Sequence, residues 1–133
     1  MCLSDHAELI STLKELWTLL DSLAACPPNM IALPPSDTGV HPSSTFNADS
    51  ARAGGFTDEA VQLLAALPYL KCPLEIQPDT YFKCYLGLRK DERDFEEQRE
   101  MLDHEPIVGS AIVLTDSSGD LGCYYVYDTE KSK

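Results

Sequence analysis

Three histidines, His6, His41 and His104, are the residues in this chain best suited to acid–base chemistry or metal binding. An imidazole titrates near neutral pH and ligates zinc, and metal sites usually repeat their ligands at short spacings such as His-x-His or His-x-x-x-His. The three histidines are widely separated and show neither spacing. We therefore expect no metal site, and we keep His41 and His104 as candidate binding residues.

Cysteine is the second residue type that could do chemistry, and the chain has five: Cys2, Cys26, Cys72, Cys84 and Cys123. None forms a Cys-x-x-Cys pair, and none stands near a histidine at zinc-ligand spacing. The odd number and the absence of a secretion signal favour free thiols in a reducing, cytoplasmic setting. A Cys72–Cys84 disulfide stays open as an alternative.

Three short motifs suggest chemistry at first sight, and each has a simpler interpretation. The neighbours in Asp103-His104-Glu105 do not face one another, so we expect a solvated charge run there. The run 116–120 lacks the length and the final glutamate of a calcium loop and is typical of a turn. Gly54-Gly55 is not followed by the Lys-Ser or Lys-Thr of a phosphate-binding loop. We predict no catalytic set and no cofactor.

Aromatic side chains are the better candidates for a binding surface. Successive side chains of a strand point to opposite faces, so some strand tyrosines should reach solvent, where tyrosine commonly contacts protein partners. Core packing is the alternative for each tyrosine, and we expect it for Trp17, which falls inside an apolar helical stripe. With the two histidines, the candidate binding residues are Trp17, Tyr81, Tyr85, Tyr124, Tyr125 and Tyr127.

The chain carries 22 acidic against 10 basic residues, a formal net charge of −12. Residues 1–50 hold one base and six acids, residues 51–88 three bases and four acids, and residues 89–133 six bases and twelve acids. Nucleic acids and anionic membranes bind clustered Lys and Arg, and no apolar stretch is long enough to span a bilayer, so we expect neither as a partner. A protein partner is expected, a basic one suits the charge, and a homo-oligomer stays open.

Two helices should position the first half of these residues. Asp5 and Glu8 have capping-box spacing, and leucines then recur every three or four positions until Pro27-Pro28 ends the pattern. Thr57 should cap the second helix, which Pro68 closes.

A Pro-, Ser- and Gly-rich arm, residues 27–55, joins the two helices. A connector of this length is either functional or packed as an irregular arm. Ile31 and Leu33 suggest a short strand-like stretch, and Asn47 could cap one helical turn that runs through Arg52 and stops at the following glycines.

The second half of the chain reads mainly as strands. Alternation over residues 74–77 and the aromatic run 80–86 predict two strands. Residues 107–115 are apolar on both faces, and with residues 121–127 they predict a terminal hairpin across a turn at 116–120.

The charge-dense segment 89–105 predicts a solvated helix, with a mobile loop as the alternative. Helix, arm, helix, two strands, charged helix and hairpin then follow one another without strict β-α-β alternation. This order predicts one α+β domain over residues 1–133, with two helices from the N-terminal half packed on a mainly antiparallel sheet.

The segment from Phe46 to Leu70, together with Tyr124-Tyr125-Val126-Tyr127-Asp128-Thr129, resembles small uncharacterised proteins of filamentous fungi. The similarity covers most of residues 40–130 and implies no established activity.

The chain is also similar to the SUKH superfamily in three features: an N-terminal helix bearing Trp17, a helix running into Leu67-Pro68, and a terminal hairpin over residues 112–128. Tyr69-Leu70-Lys71 stands where that superfamily usually has Asn-Gly. The resemblance implies helices combined with a β-sheet and a binding role, because members include regulatory hubs and toxin-binding immunity proteins.

Two functions follow as hypotheses. The first is a non-enzymatic, acidic module that binds another protein. The alternative is a small cofactor-independent enzyme, an isomerase, cyclase or hydrolase, with a pocket between the helices and the aromatic sheet and with His41 or His104 as acid or base.

Overall fold

The structure is a computed structural model that describes residues 3–87, 92–100 and 105–131. Helices alternate with short strands, and every strand pairing among these residues is antiparallel. This confirms the predicted α+β class. None of the helices described is long and apolar enough to cross a membrane. His104 and parts of the charge-dense segment fall outside the described residues.

The first helix, α1 (Ala7–Ser22), begins later than the capping pattern predicts. A 3-10 turn over Leu3–His6 precedes it, and His6 occupies the N-cap position without a side-chain hydrogen bond to the helix. The predicted capping box of Asp5 and Glu8 is therefore wrong. Contacts between His6 and distant parts of the chain fix the start of the helix in place of a local cap.

The inner face of α1 packs on the core through Leu13 and Trp17, which are both buried. The indole N–H of Trp17 donates to the carbonyl of Pro68 at 3.1 Å. The Trp17 ring also meets Phe82 edge-on, with ring centroids 4.6 Å apart. These contacts confirm Trp17 as a core residue, with the indole N–H satisfied as burial requires.

The arm contains two short elements. β1 (Ile31–Ala32) pairs antiparallel with β2 (Tyr69–Leu70), a strand that the sequence pattern did not indicate. In α2 (Ala48–Ala53), the Asn47 side chain accepts the backbone N–H of Ser50 at 3.1 Å. The predicted Asn47 cap is therefore confirmed, and the helix runs one residue beyond its expected end.

α3 (Asp58–Ala66) is the most thoroughly buried helix among the described residues. The Thr57 hydroxyl accepts the backbone N–H of Ala60 at 3.2 Å, which confirms the predicted N-cap. Its buried residues are Ala60, Val61, Leu63, Leu64 and Ala66. This helix forms the centre against which the other elements pack.

A three-stranded sheet has the order β3 (Glu75–Gln77), β4 (Thr80–Phe82), β6 (Thr115–Ser117). The two predicted strands at 74–77 and 80–86 are thus present, but the second ends at Phe82. The register between β3 and β4 shifts at Ile76, which leaves β3 with a bulge.

The C-terminal part differs from the predicted hairpin. β5 (Ala111–Val113) does pair with β7 (Val126–Asp128), but β6 leaves that ladder and pairs with β4 instead. The predicted turn at 116–120 is therefore wrong in its first half, because Asp116 and Ser117 belong to a strand. Local patterning indicates a strand but does not identify its neighbour in the sheet.

α4 (Glu92–Gln98) confirms a helix in the charge-dense segment, and one of its residues is fully inside the protein. Phe95 is buried and meets Phe46 edge-on, with ring centroids 5.7 Å apart. The helix is therefore anchored on α2 and the arm, and the expectation of a fully solvated helix is wrong at this residue.

Arg99 ties the end of α4 to two loops. Its guanidinium donates to the carbonyls of Gly54, at 2.9 Å, and Ile107. It also lies over the ring of Phe56, 5.8 Å from the centroid. Gly55 has a φ of +105°, and a Cβ there would collide with this guanidinium, so only glycine fits both the backbone and the contact.

Candidate functional site: an apolar cleft with an acidic rim

An open cleft of about 590 Å³ lies between α1 and the three-stranded sheet. Leu13, Leu16 and Leu20 form its helical wall, because residues three and four apart share one face of a helix. The rest of the lining comes from Ala25, Leu74, Glu75, Ile76, Gln77, Phe82, Leu114 and Tyr125. A lining of this composition suits apolar groups with a few polar contacts at the rim.

The sheet side of the cleft is formed by residues in or next to β3, β4 and β6. Four consecutive residues, 74–77, line it. Phe82 of β4 and Leu114, which precedes β6, line it as well, so the hollow extends over the sheet beyond β3. In the sheet, β3 is the end strand, with β4 on its other side. The backbone of an end strand offers hydrogen-bonding groups to a further strand.

The elements that flank the cleft are net acidic, and Glu75 is the carboxylate in the lining itself. α1 carries Glu8, Glu15 and Asp21 against Lys14. The segments 74–83 and 114–121 carry Glu75, Asp79, Asp116 and Asp120 against Lys83. Burial lowers the pKa of Lys83, the one cation of these segments. The field around the apolar lining is therefore negative.

Hydrogen bonds from two tyrosines hold polar side chains in place on the sheet side of the rim. The Tyr125 hydroxyl donates to Gln77 Oε1 at 2.9 Å, and the Tyr81 hydroxyl donates to Glu75 Oε2 at 3.3 Å. The Glu75 carboxylate raises the pKa of Tyr81, because a nearby negative charge opposes formation of the phenolate. These pairs hold the rim in one arrangement beside the apolar lining.

A buried histidine lies next to the N-terminal end of α1. The His6 Nε2–H donates to Glu59 Oε1 at 3.2 Å, since a carboxylate can only accept. In the tautomer with its proton on Nε2, His6 Nδ1 accepts the Tyr127 hydroxyl, 2.8 Å away. The three side chains connect the N-terminal turn, α3 and β7. Tyr127 also lines a hollow of about 310 Å³ with Asp5, Glu8, Leu9 and Thr12.

His41 belongs to a different region, where the arm meets α3. Its Nε2–H donates to the carbonyl of Leu67 at 2.7 Å, and its backbone N–H donates to Ala65 at 2.7 Å. Burial lowers the pKa of His41, which favours the neutral ring. His41 lines two hollows of about 380 and 610 Å³, whose walls also include Arg52 in the first and Lys71 in the second.

The predicted binding residues do not form one cluster. Tyr125 lines the cleft, Tyr81 lies at its rim through Glu75, and Trp17 lies beneath it against Phe82. Tyr127 contacts His6.

Three of the remaining candidates lie elsewhere. Tyr85 is buried, with its hydroxyl donating to the carbonyl of Val113 at 2.7 Å. Tyr124 is half-buried near Asp116, and its pKa is raised mainly by burial. His41 lies at the arm. His104 is outside the described residues.

Sequence reasoning missed two features of this region. The leucines of α1 were assigned together to a core-facing stripe, but Leu16 and Leu20 are only half-buried and face the cleft. The sequence did carry one signal for this: the apolar stripe of α1 is wider than a single buried helix face requires. The contact of His6 with Glu59 and Tyr127 joins residues far apart in the chain and leaves no local signal.

The four described cysteines, Cys26, Cys72, Cys84 and Cys123, are free thiols. Cys72 and Cys84 are thus not joined in a disulfide here, and burial and the nearby Cys72 thiol raise the pKa of Cys26. In the described ranges, no group of three or more His, Cys, Asp or Glu side chains is placed to hold a metal ion.

Comparison of the chain with protein-family models, with curated proteins and with solved structures found no match.

Proposed function

We propose that this protein is an acidic protein-binding module, and that its binding site is the cleft between α1 and β3. The observation that carries the proposal is an open apolar cleft that has Glu75 in its lining and lies between elements that each carry an excess of carboxylates. Its occupant is a partner segment with apolar side chains that fill the cleft and Lys or Arg side chains that meet the rim. The resemblance to the SUKH superfamily implies a binding role of the same kind.

Exposed apolar side chains extend the site beyond the cleft. Tyr125 is 42% exposed at the rim, and Leu23, one helical turn beyond Leu20, is 67% exposed. Aromatic and apolar residues surrounded by polar ones are typical of protein–protein contact regions. Association should be fast and salt-sensitive, because charge complementarity acts mainly on encounter and register.

The enzymatic alternative places an acid or base in the same cleft. Among the described lining residues the ionisable groups are Glu75 and Tyr125, and both are exposed. An exposed carboxylate lacks the burial that tunes a catalytic group. The cleft lining therefore favours binding over catalysis.

The contacts of His6 favour a second candidate function, in which the Tyr127 hydroxyl is an activated nucleophile. The Tyr127 hydroxyl, His6 and Glu59 form a hydrogen-bonded chain in which a carboxylate orients a base that faces a hydroxyl. If the chain activates Tyr127, N-acetylimidazole should acetylate this hydroxyl faster in the wild type than in His6→Gln, as read by mass spectrometry. Equal rates in the two folded proteins would remove this candidate.

A display library of random twelve-residue peptides, panned on the purified protein, tests the proposed function. Selected peptides should be rich in apolar residues with Lys or Arg. Their affinity should fall about tenfold or more in Leu16→Asp, because the new carboxylate is desolvated by an apolar occupant.

Leu19→Asp is the matched control, since Leu19 is on the same helix, is 54% exposed and does not line the cleft. Its effect should stay within about twofold. Selection of peptides without basic residues, or equal losses in the two variants, would overturn the proposed function.

A further inference from the structure

We propose that Cys26 and Cys72 form a reversible disulfide that fixes the spacing of the two cleft walls at one end of the cleft. Oxidation of this pair depends only on where the fold places the two thiols. Its effect on partner binding rests on the proposed function.

The ladder of β1 and β2 brings the two cysteines to the same part of the molecule. Beyond its last pair, the backbone N–H of Lys71 donates to the carbonyl of Met30 at 2.8 Å. Cys72 follows Lys71 directly. Cys26 precedes Met30 by a turn in which Asn29 has a φ of +66°, a conformation that asparagine adopts more readily than most residues. The segment after α1 and the segment before β3 therefore meet beside this ladder.

The two cysteine side chains also contact each other. Both are half-buried free thiols that pack against the hydrophobic core. Burial raises the pKa of Cys26 most, and Cys72 raises it further through the charge of its thiolate and a hydrogen bond between the two side chains. Two groups held in contact by a fold react with each other at a high effective concentration. The fold therefore holds this pair ready for oxidation to a disulfide.

The other described cysteines lie elsewhere. Cys84 lines the arm hollow of about 610 Å³ together with Lys71. Cys123 is exposed beside the three-stranded sheet, where its backbone N–H donates to the Thr80 hydroxyl at 3.1 Å. We therefore expect the pair described above to oxidise before any pair that includes these two thiols.

Both cysteines of the pair flank one end of the cleft. Ala25, next to Cys26, and Leu74, two residues after Cys72, belong to the cleft lining. The first lies on the segment that leaves α1, and the second leads into β3. A covalent bond between the cysteines therefore ties the helical wall to the sheet wall at this end.

The disulfide should pre-organise the cleft without closing it. The two thiols are already in contact in the reduced protein, so the bond keeps the walls near their present spacing. It restricts motion of one wall relative to the other, which reduces the ordering cost of binding. The oxidised cleft should therefore bind its partner more tightly than the reduced one.

A small-molecule disulfide such as oxidised glutathione supplies the oxidant. One cysteine thiolate attacks a glutathione sulfur, which forms a mixed disulfide and releases one glutathione thiolate. The second cysteine thiolate attacks the protein sulfur of the mixed disulfide, which forms the Cys26–Cys72 bond and releases the other glutathione thiolate. The protein loses two electrons and two protons, and these convert one oxidised glutathione into two reduced ones. Excess reduced glutathione reverses both steps.

Incubation of the protein with defined ratios of reduced and oxidised glutathione tests the pair. After alkylation of the remaining thiols, mass spectrometry of a digest should show Cys26 linked to Cys72 as the first crosslink, and excess reduced glutathione should remove it. The oxidised protein should also melt about 5 °C or more higher, because the bond closes a loop over residues 27–71.

Variants of single cysteines provide the controls. Cys72→Ser and Cys26→Ser should each lose the crosslink and the rise in melting temperature, whereas Cys123→Ser should keep both. A first crosslink between other cysteines, or mixed disulfides with glutathione alone, would overturn the proposal.

Peptide affinity tests the link to the cleft. Peptides selected by panning on the reduced protein should bind the oxidised protein about three- to tenfold more tightly, and Cys26→Ser should show no such difference. A disulfide that forms without changing affinity would overturn the control of the cleft walls and leave the binding module standing. If panning yields no peptide that depends on the cleft, the proposed function fails, and the crosslink still decides whether the two cysteines pair.

Discussion

The cleft beside α1, of about 590 Å³, and the larger hollow at the arm, of about 610 Å³, are similar in volume, but their polar groups have different roles. At the arm, His41 donates to Leu67, and Thr45 accepts the backbone N–H of Gly87 at 2.9 Å. These bonds fasten the arm to α3 and to the segment after β4. At the cleft, the rim pairs such as Tyr125 with Gln77 are beside an apolar lining that no described segment covers.

This difference distinguishes structural hollows from binding surfaces in this chain. The arm region holds the cations Arg52 and Lys71 near its hollows, and Arg52 is already paired with Asp49 and Asp58. The cleft has Glu75 in its lining and is flanked by elements with an excess of carboxylates. A segment packed by its own chain needs internal partners, whereas a surface for another chain keeps complementary charge available.

The largest expected difference is in the free energy of unfolding, between a substitution in the core and one at the cleft wall. Leu64→Ala removes a fully buried side chain of α3 and should lower the free energy of unfolding by about 2–5 kcal/mol. Leu20→Ala at the half-buried cleft wall should cost no more than about 1 kcal/mol. Urea denaturation of the two variants measures both values. Equal losses would show that the leucines of the cleft are packed as core residues.

The Asn47 cap tests the arm alone. Asn47→Ala leaves the Ser50 N–H without its side-chain acceptor and should lower the free energy of unfolding by about 1 kcal/mol. The affinity for cleft-selected peptides should not change, because α2 is remote from the cleft lining. A loss of both stability and affinity would show that the arm and the cleft are coupled and would contradict their separate roles.

His41 should make stability depend on pH at the arm. Burial lowers its pKa in the folded state, so the unfolded chain takes up a proton first as pH falls below about 6.5. Wild type should therefore lose more stability than His41→Gln between about pH 7.5 and about pH 5.5. Denaturation of both proteins at the two pH values gives the difference. An equal loss in the two proteins would contradict the buried neutral ring.

The smallest expected effect is that of salt on peptide affinity, which should depend on the charged rim and not on the apolar lining. Raising salt from about 50 mM to about 300 mM should weaken peptide binding by about three- to fivefold, because screening acts on exposed carboxylates. The apolar contribution should persist, so binding should not vanish. Fluorescence anisotropy at several salt concentrations measures the slope, and a flat response would remove the charge from the account.

Much of the fold follows from local chemistry in the sequence. Thr57 and Asn47 cap helices as predicted, because a cap depends on residues within one turn. The strands observed at 75–77 and 80–82 follow from alternation and aromatic content. The same reasoning fails at Asp5, where His6 is drawn inward by distant partners.

The cleft depends on relations that a single sequence does not express. Pairing of β6 with β4 instead of its sequence neighbour leaves β3 at the end of the sheet. The same period-three and period-four pattern of leucines fits a core face and a cleft wall equally well. Of the predicted binding residues, Tyr125 lines the cleft and Tyr81 contacts its rim, whereas Tyr85 is enclosed in the core.

The most direct test of the central claim is an NMR titration of the isotope-labelled protein with a peptide selected by panning. The account predicts that the largest backbone amide shifts fall on α1 near Leu16 and Leu20 and on β3 near Ile76. Shifts concentrated around His41 and the arm, or spread evenly over the protein, would contradict it.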